Sequence, residues 1–362
     1  MRKLITAGIA LGLGIALSVP AATAAAAAGS TIVVSPGQSI QAAVNQAQPG
    51  DTVLVKPGVY HQAVQIRTDG ITLRGSGDFL GGTVIKPPPT PPRNLCSSPN
   101  AFGPTGVCIL AKKLNTKTGA VITPVYNDTV TGLYVTGFSS NGVFGYGTYG
   151  LTVQRVVATD DGEYGISRFD STKTLFANDT AIGNEEAGFY VGDSPDAATV
   201  VRDNVARENA LGIFIRHARG VTVMSNRATG NCQGILVLDD GQRGGAGNAV
   251  VQSNSVFRNN MFCPASEDAP PLQGGGILLV GATQTKVLSN SVKGNVGSQF
   301  NSGGIVVVSA APFHGSDPAF DTIARNTAFR DKPADLSWDG SGNNISFVGN
   351  HCTISMPAGL CQ

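Results

Sequence analysis

Four residues that can exchange protons recur at nearly regular spacing in the middle of the chain. They are Asp170, Asp193, His217 and Asp239. Successive members are separated by 23, 24 and 22 residues, and each follows by five positions a glycine that begins a short apolar run. Carboxyl and imidazole groups are the usual general acids and bases of enzymes. If successive repeats stack in register, these side chains form one column of catalytic candidates.

Aromatic and cationic residues accompany this column. In a strand, alternate side chains point to opposite faces. If the first and third residues after each glycine point inward, Tyr190 and Phe214 point outward and form an exposed aromatic strip with Phe169, beside Arg216. Flat aromatic faces can stack on sugar rings, and arginine can neutralise a uronic acid. The candidate catalytic residues are Asp170, Asp193, Arg216, His217 and Asp239. The candidate substrate-binding residues are Arg168, Phe169, Tyr190, Phe214 and Asp240.

A second interpretation of the column needs no chemistry. Aspartate, serine and asparagine favour turns because their side chains bond to the local backbone. A column of aspartates at a repeating turn can therefore be purely structural. His217, flanked by Arg216 and Arg219, is less typical of a core position. Carboxylates one repeat apart can also hold Ca²⁺, whereas the cysteines and histidines show no ligand spacing for another metal.

Arg168 breaks the pattern of its repeat. It stands three positions after the glycine, where the next repeats have Val191, Ile215 and Val237. Either its strand bends early, or the guanidinium is buried and paired with Asp170 or Asp193. A broken local rule often marks a functional or strained site, although a structural ion pair is the plainer alternative.

A repeat of about 23 residues must position these side chains. Glycine followed by a large apolar residue marks its anchors: Gly142, Gly165, Gly188, Gly212, Gly234, Gly276 and Gly304. One column of asparagines follows a strand in each repeat: Asn178, Asn204, Asn226, Asn254, Asn290, Asn326 and Asn350. A second follows five or six residues later: Asn184, Asn209, Asn231, Asn259 and Asn295. Stacked amides can hydrogen-bond from one repeat to the next and satisfy buried turns.

Composition and period together indicate the fold class. Glycine supplies 47 of 362 residues and charged residues only 14%, which disfavours helical bundles. A leucine-rich repeat would show a leucine pattern, and a propeller blade needs about 40 residues. We therefore predict an all-β, right-handed parallel β-helix, forming a single domain over residues 30–362. Proline-rich stretches predict inserts near 86–128 and 258–275, because proline cannot sustain a central strand.

The N-terminal region resembles that of a known superfamily. Residues 36–44 combine a serine cap with an amphipathic run and predict a short capping helix; the strand 52–56 and a Pro-Gly-Val-Tyr turn follow. This arrangement is similar to the cap of pectate-lyase-like β-helix proteins, which include polysaccharide lyases, pectin hydrolases, uronan epimerases and a copper-site accessory protein. The motifs at 162–170 and 234–241 resemble secreted actinobacterial β-helix-repeat proteins. The resemblance covers about residues 32–352.

The first residues predict export. Arg2 and Lys3 precede an apolar stretch and an Ala-x-Ala cleavage signal, so residues 1–28 are predicted to be a secretory signal peptide. A membrane anchor is disfavoured because the apolar run is shorter than the ~20 residues of a span. Removing those two cations leaves 23 basic against 24 acidic residues, a net charge near −1. We expect a secreted, extracellular monomer with no nucleic-acid partner and no membrane span.

The six cysteines of an exported chain favour disulfides. The pairs Cys96–Cys108 and Cys352–Cys361 each flank a short segment. Cys232 and Cys263 fall at similar offsets in adjacent repeats, which favours a third bridge. Free or metal-binding thiols are the alternative.

Two functions remain open at this level. The first is an enzyme that depolymerises a uronic-acid-containing polysaccharide, as a lyase or a hydrolase. The Asn-Thr-Asp and Gly-His-Gly motifs of pectin-hydrolysing relatives are missing, which argues against a standard polygalacturonase. The second is a non-catalytic protein that binds glycan or cell wall through its aromatic strip.

Overall fold

The strands of the chain wind into a parallel β-helix. A computed structural model describes residues 29–79, 81–98, 101–242, 244–266 and 269–361; the predicted signal peptide at residues 1–28 lies outside them. Each coil of the solenoid contributes strands to two long sheets. The predicted all-β architecture is confirmed, with one short α-helix at the N-terminal end.

The first sheet has 20 strands and bends at a corner within each coil. Its strands are Thr31–Val34, Thr52–Val55, Gly58–His61, Thr72–Arg74, Thr83–Lys86, Thr129–Thr136, Thr152–Thr159, Leu175–Ala177, Thr180–Ile182, Thr199–Arg202, Val205–Arg207, Val221–Met224, Arg227–Thr229, Val250–Gln252, Ser255–Phe257, Lys286–Leu288, Ser291–Lys293, Thr322–Ala324, Thr327–Phe329 and Ser346–Val348.

The second sheet has 11 strands, and the candidate column lies at the C-terminal ends of four of them. Its strands are Val64–Ile66, Val107–Leu110, Val143–Tyr146, Tyr164–Phe169, Ala187–Ser194, Leu211–Ala218, Gln233–Leu238, Gly275–Val280, Gly303–Val308, Leu336–Trp338 and Ser355–Met356. A small parallel pair joins Val125–Tyr126 to Thr148–Tyr149. An antiparallel hairpin joins Lys113–Leu114 to Val121–Thr123.

Stacking in register builds the core. Ile213 pairs with Phe189 of the preceding coil and Ile235 of the following one. All three side chains are fully buried inside the solenoid, as the alternation of inward and outward residues predicts. The interior is therefore a stack of like residues, and each coil depends on its two neighbours for burial.

Two asparagine ladders support the turns of the first sheet. In each ladder a side-chain carbonyl accepts a bond from the backbone N–H one coil earlier, as Asn231 does from Asn209 at 3.0 Å. The Asn209 amide also donates to Asn231, and to the carbonyl of Ala181. The first ladder comprises Asp179, Asn204, Asn226, Asn254, Asn290, Asn326 and Asn350. The second comprises Asp161, Asn184, Asn209, Asn231, Asn259, Asn295 and Asp331.

One predicted ladder residue is wrong. Asn178 occupies the left-handed turn position before the ladder, with φ 58°, and Asp179 takes the ladder place. Its Oδ1 accepts from the backbone of Val156 at 2.8 Å. Residue preference cannot distinguish the turn position from the ladder position, because both asparagine and aspartate are suited to each.

A helix covers the N-terminal end of the solenoid. It spans Ile40–Gln46, and the Ser39 side chain accepts the N–H of Ala42 at 3.1 Å. Ile40 and Val44 are buried against the first coils. The helix therefore shields edge strands that would otherwise be open to pairing.

The three predicted disulfides are confirmed. They are Cys96–Cys108, Cys232–Cys263 and Cys352–Cys361. The first two anchor segments that leave the coil, and the third ties down the C-terminal tail. Short 3-10 helices occur in two loops, at Leu95–Ser97 and Ala311–Phe313.

Candidate functional site

The second sheet places the predicted column in four successive coils. Its pairing register aligns Phe169 with Gly192, Gly192 with Arg216, and Arg216 with Leu238. The next residue in each coil is then Asp170, Asp193, His217 or Asp239. The first three have φ values of 44°, 50° and 49°, in the left-handed region that costs most residues energy. The chain therefore turns sharply where it presents these side chains.

His217 ties the column to a neighbouring ion pair. Its Nδ1 lies 3.0 Å from Oδ1 of Asp193, and its Nε2 contacts Oδ1 of Asp240. The other oxygen of Asp240 accepts from Nε and Nη2 of Arg216, at 2.9 and 2.5 Å. His217 is only 1% exposed, whereas the Asp193 side chain is 41% exposed. The buried imidazole thus orients the exposed Asp193 carboxylate through Nδ1, while its Nε2 is bonded to Asp240.

An open depression lies over the first two carboxylates. It has a volume of about 420 Å³ and is lined by Asp170, Asp193 and the segment 194–196. Ala120 and Val121 of the antiparallel hairpin form another wall. This hairpin belongs to the insert predicted near 86–128, so the insert helps to shape the depression.

The environment of Asp170 favours its protonated form. Partial burial raises its pKa, and the nearby Asp193 carboxylate adds to that increase. The Tyr146 side chain and the charge of Arg168 oppose it. A carboxyl group with a raised pKa beside a second carboxylate is a common arrangement for a general acid and its partner. Asp170 is thus a candidate proton donor.

Asp239 does not share this site. It is 5% exposed, and its Oδ1 accepts the backbone N–H of Gly241 at 3.1 Å. The loop that carries Gly315 lies directly over its backbone: a Cβ added to Gly315 would stand 1.8 Å from the Asp239 carbonyl oxygen. The prediction that Asp239 is catalytic is therefore wrong, and the turn interpretation explains this residue. His217 bonds to Asp240 instead.

The aromatic strip exists but is covered. Tyr190 stacks on Tyr164 and Phe169, with centroids 4.4 and 4.6 Å apart, and meets Phe214 edge-on at 5.3 Å. Tyr190 is 1% exposed and Phe214 is 4% exposed. Neither ring can stack on a sugar in this conformation, so their prediction as substrate-binding residues is wrong. Phe169 and Tyr146 are only half-buried and remain available.

Arg168 is buried inside the solenoid. Its guanidinium donates to the hydroxyls of Ser194 and Thr199 and to the carbonyl of Ala197. The hydrogen bonds of its guanidinium thus go to neutral groups, and desolvation lowers its pKa to about 9. It cannot touch a substrate, so the substrate-binding prediction is wrong, as is the predicted pairing with Asp170 or Asp193. Arg168 instead fixes the segment that follows Asp193.

Tyr146 and the hairpin wall were missed from the sequence. Tyr146 stands four residues after the anchor Gly142, and its hydroxyl donates to the carbonyl of Gly119 in the insert at 3.2 Å. Extending the column one repeat towards the N-terminus gives Gly147, so Tyr146 precedes the column by one position, in register with Phe169. Nothing in the spacing indicates that Ala120 and Val121 return to the sheet, because inserts lie outside the repeat.

The described residues offer no grouping of three or more histidine, cysteine, aspartate or glutamate side chains that could hold a metal ion. The Ca²⁺ hypothesis for the column stays a prediction.

A family model decides the family. The model described as the right-handed beta helix region matches residues 141–350, which is more than half of the chain. The chain belongs to this right-handed β-helix family. The match begins just before the coil that carries Tyr146 and includes the whole candidate column. Membership agrees with the pectate-lyase-like resemblance of the sequence and fixes the handedness of the solenoid.

Solved structures of similar fold come from enzymes of alginate chemistry. The A-module of the mannuronan C-5 epimerase AlgE4 from Azotobacter vinelandii is 18% identical, with a TM-score of 0.57 over 87% of this chain and 90% of that one. The AlgE6 A-module from the same organism is 19% identical, with a TM-score of 0.56 over 86% and 88%. An alginate lyase from Paenibacillus is 17% identical, with a TM-score of 0.52 over 88% and 99%. Such identities establish the fold alone.

A search of curated protein sequences found no match to this chain. Within the described ranges, no helix is long and apolar enough to cross a bilayer. Three disulfides are typical of proteins from oxidising compartments and are compatible with an extracellular protein.

Proposed function

We propose that this β-helix protein is a secreted polysaccharide depolymerase that acts at the depression over Asp170 and Asp193. The observation that carries the proposal is the arrangement of two carboxyl groups in successive coils at an open surface. One has a raised pKa, and the other is held from below by His217. Buried polar residues elsewhere in the solenoid support turns, whereas these two face solvent.

A uronic-acid-containing glycan is the proposed substrate class. Structural neighbours with TM-scores above 0.5 are named as enzymes of mannuronan and alginate, and these polymers carry a carboxylate on each sugar. Arg216 offers a cationic side chain beside the column, about a third exposed although paired with Asp240. It would neutralise the uronate carboxylate, which acidifies the adjacent C5 proton.

Lyase chemistry assigns one role to each carboxyl group. Asp193 takes the C5 proton as general base, and Asp170 gives a proton to the leaving glycosidic oxygen. His217 acts through Asp193, since both of its ring nitrogens are engaged and neither faces the depression. His217 is therefore a positioning residue. Ca²⁺ bound at Asp170 and Asp193 would assist charge neutralisation, and a chelator in the assay tests this.

Hydrolysis is the second candidate, favoured by the position of Asp170 and Asp193 in adjacent coils. Adjacent strands of a sheet lie about 4.8 Å apart, close to the roughly 5–5.5 Å between the carboxyl groups of retaining glycosidases. Asp193 would then be the nucleophile and Asp170 the acid. Non-catalytic binding loses most of its support, because Tyr190 and Phe214 of the aromatic strip are buried.

The test is a substrate panel with one matched control. The purified protein is incubated with alginate, polygalacturonate and a neutral glucan, and products are followed at 235 nm and as reducing ends. We expect uronan cleavage in the parent and a loss of at least 100-fold in Asp170→Asn. Asp160→Asn is the control, because Asp160 is an exposed aspartate at a left-handed turn away from the depression, with φ 56°. Binding without turnover on every substrate of the panel would refute the proposed enzymatic activity.

A further inference from the structure

A second exposed surface lies on the first sheet, where the charge is of the opposite sign. It comprises the outward side chains of the segments 221–231, 250–259, 286–295, 322–331 and 346–350, and we call it the basic face. Six exposed cations lie on these segments: Arg227, Arg258, Lys286, Lys293, Arg325 and Arg330. The one carboxyl group in the five segments, Asp331, is 1% exposed within the second ladder. The exposed charge of this face is therefore wholly positive.

Earlier coils of the same sheet do not share this property. There Arg202 pairs with Asp203 and Arg207 with Glu208, both at 2.6 Å. None of the six cations of the basic face forms an ion pair with a described residue. A protein with almost no net charge thus concentrates unpaired cations on four successive coils, which gives this region a positive potential.

Three of these cations stand where the backbone favours another residue. Arg258, Arg325 and Arg330 have φ values of 52°, 55° and 60°. In the same turn of neighbouring coils the chain has Gly294 and Gly349. Glycine adopts this conformation freely, whereas an arginine is strained there. Serine also occupies this kind of turn, at Ser225, Ser253 and Ser289, so the backbone does not require arginine at these positions.

The side chains extend along the solenoid axis. A Cβ added to Gly294 would lie 3.8 Å from Cγ of Arg258, and one added to Gly349 would lie 4.0 Å from Cγ of Arg325. Each arginine thus reaches over the following coil. Arg227 also leans onto the next coil, with its guanidinium 4.4 Å from the centre of the Phe257 ring. Arg258, Lys293 and Arg330 form a row in three successive coils, because Phe257, just before Arg258, pairs with Lys293, and Lys293 pairs with Phe329, just before Arg330. The other three cations lie at other positions across the face, and coils repeat about every 4.8 Å.

We infer that the basic face binds an extended acidic polysaccharide, with carboxylates along the row of cations. Serine and threonine hydroxyls between the cations suit sugar hydroxyls. A single-stranded nucleic acid would need open aromatic platforms, but Phe257 is covered by Arg227 and Phe329 by His351, at 4.9 Å between ring centres. This surface is separate from the depression and does not depend on the enzyme proposal. On the proposed depolymerase it would hold a long substrate chain.

The strained arginines provide a sharp test. In the triple variant Arg258→Gly, Arg325→Gly and Arg330→Gly, each substitution relieves a left-handed residue, so we expect the Tm to be unchanged or higher. We expect affinity for alginate to fall at least tenfold, with a weaker dependence on salt. Binding is measured by calorimetry in an Asp193→Asn background, which prevents cleavage during titration and keeps the result independent of turnover.

The matched control removes the same charge at the other end of the solenoid. Arg155 has φ 52° in the equivalent turn of an early coil, so the control combines Arg155→Gly with Arg74→Gln and Lys86→Gln. The inference stands if only the basic-face variant loses affinity for alginate. It is overturned if both variants bind like the parent or lose affinity equally. Equal or tighter binding of the parent to single-stranded DNA or phosphatidylglycerol vesicles would overturn it as well.

Discussion

The asparagine ladders and the Asp-His column are both stacks of polar residues at a repeating turn, yet they differ in how their side chains are satisfied. Each ladder asparagine is at most 2% exposed, and its amide bonds along the stack. In the column, Asp193 is bonded from one side and open on the other. Repetition of a polar residue therefore indicates a turn, and only an exposed, unsatisfied side makes it a candidate for chemistry.

The ends of the ladders sharpen this contrast. Asp161, Asp179 and Asp331 replace asparagine there, and in each the Oδ2 atom is buried with no partner. An asparagine donates its amide to a backbone carbonyl from the equivalent position, as Asn204 does to Phe176. A protonated carboxyl group reproduces that donor, whereas a carboxylate does not. Burial accordingly raises the pKa of all three groups, to about 7 for Asp331.

The largest effect on stability is expected within a ladder. Asn231→Leu leaves the N–H of Asn209 unpaired and breaks the chain of amides through the middle coils. Leaving buried polar groups unsatisfied costs about 1–3 kcal/mol each, so we expect a loss of roughly 3 kcal/mol in the free energy of unfolding. Turnover per folded molecule should be unchanged. Denaturant unfolding and an activity assay on the same preparation check both, and a selective loss of turnover would contradict the structural role.

A positioning effect is expected next, at His217. In His217→Gln the column keeps its exposed carboxylates but loses the imidazole between Asp193 and Asp240. We expect kcat on uronan to fall roughly 10- to 100-fold, with KM nearly unchanged, and the pH–rate profile to shift. If His217 is purely structural, the substitution lowers the yield of folded protein, and the folded fraction keeps the pH–rate profile of the parent.

A gain in stability is expected at the ladder ends. Because the folded pKa of Asp331 lies above its unfolded value near 3.8, its stabilisation is complete below that value and is lost as pH rises towards about 7. Asp331→Asn supplies a permanent amide donor, so we expect a gain of about 1–2 kcal/mol at pH 8 and little change at pH 4. Thermal melts across this range measure it. Equal effects at both pH values would show that the carboxyl group is not protonated in the fold.

The smallest effect is expected at the edge of the depression. The Tyr146 side chain lowers the pKa of Asp170, in opposition to burial. Tyr146→Phe removes this hydroxyl, so the pKa of Asp170 should rise further and the limb of the pH–rate profile that Asp170 controls should move to higher pH. The pH–rate profile of this variant beside that of the parent measures the direction of the shift. A shift to lower pH would contradict the assignment of Asp170 as the acid.

The sequence predicts the features that repeat. Anchor glycines such as Gly212 and ladder residues such as Asn231 recur at the coil period, so the fold, the ladders and the alignment of Asp170, Asp193 and His217 follow from spacing. The disulfide between Cys232 and Cys263 follows from the same stacking.

The features that do not repeat could not be predicted. Tyr190 and Phe214 point outward as expected, but their burial depends on packing between side chains of neighbouring coils. Asp239 is covered by a loop more than 70 residues later in the chain. The alternation identifies Arg168 as an exception, but its hydroxyl partners Ser194 and Thr199 carry no charge pattern that would reveal them.

The central claim is that the column does chemistry where the ladders only support turns, and Asp193 tests it most directly. The measurement is the initial rate of uronan cleavage by Asp193→Asn relative to the parent, at equal concentrations of folded protein. The account predicts a loss of at least 100-fold with an unchanged Tm. A rate within twofold of the parent, or a loss of rate that follows a lower Tm, would place Asp193 with the structural residues.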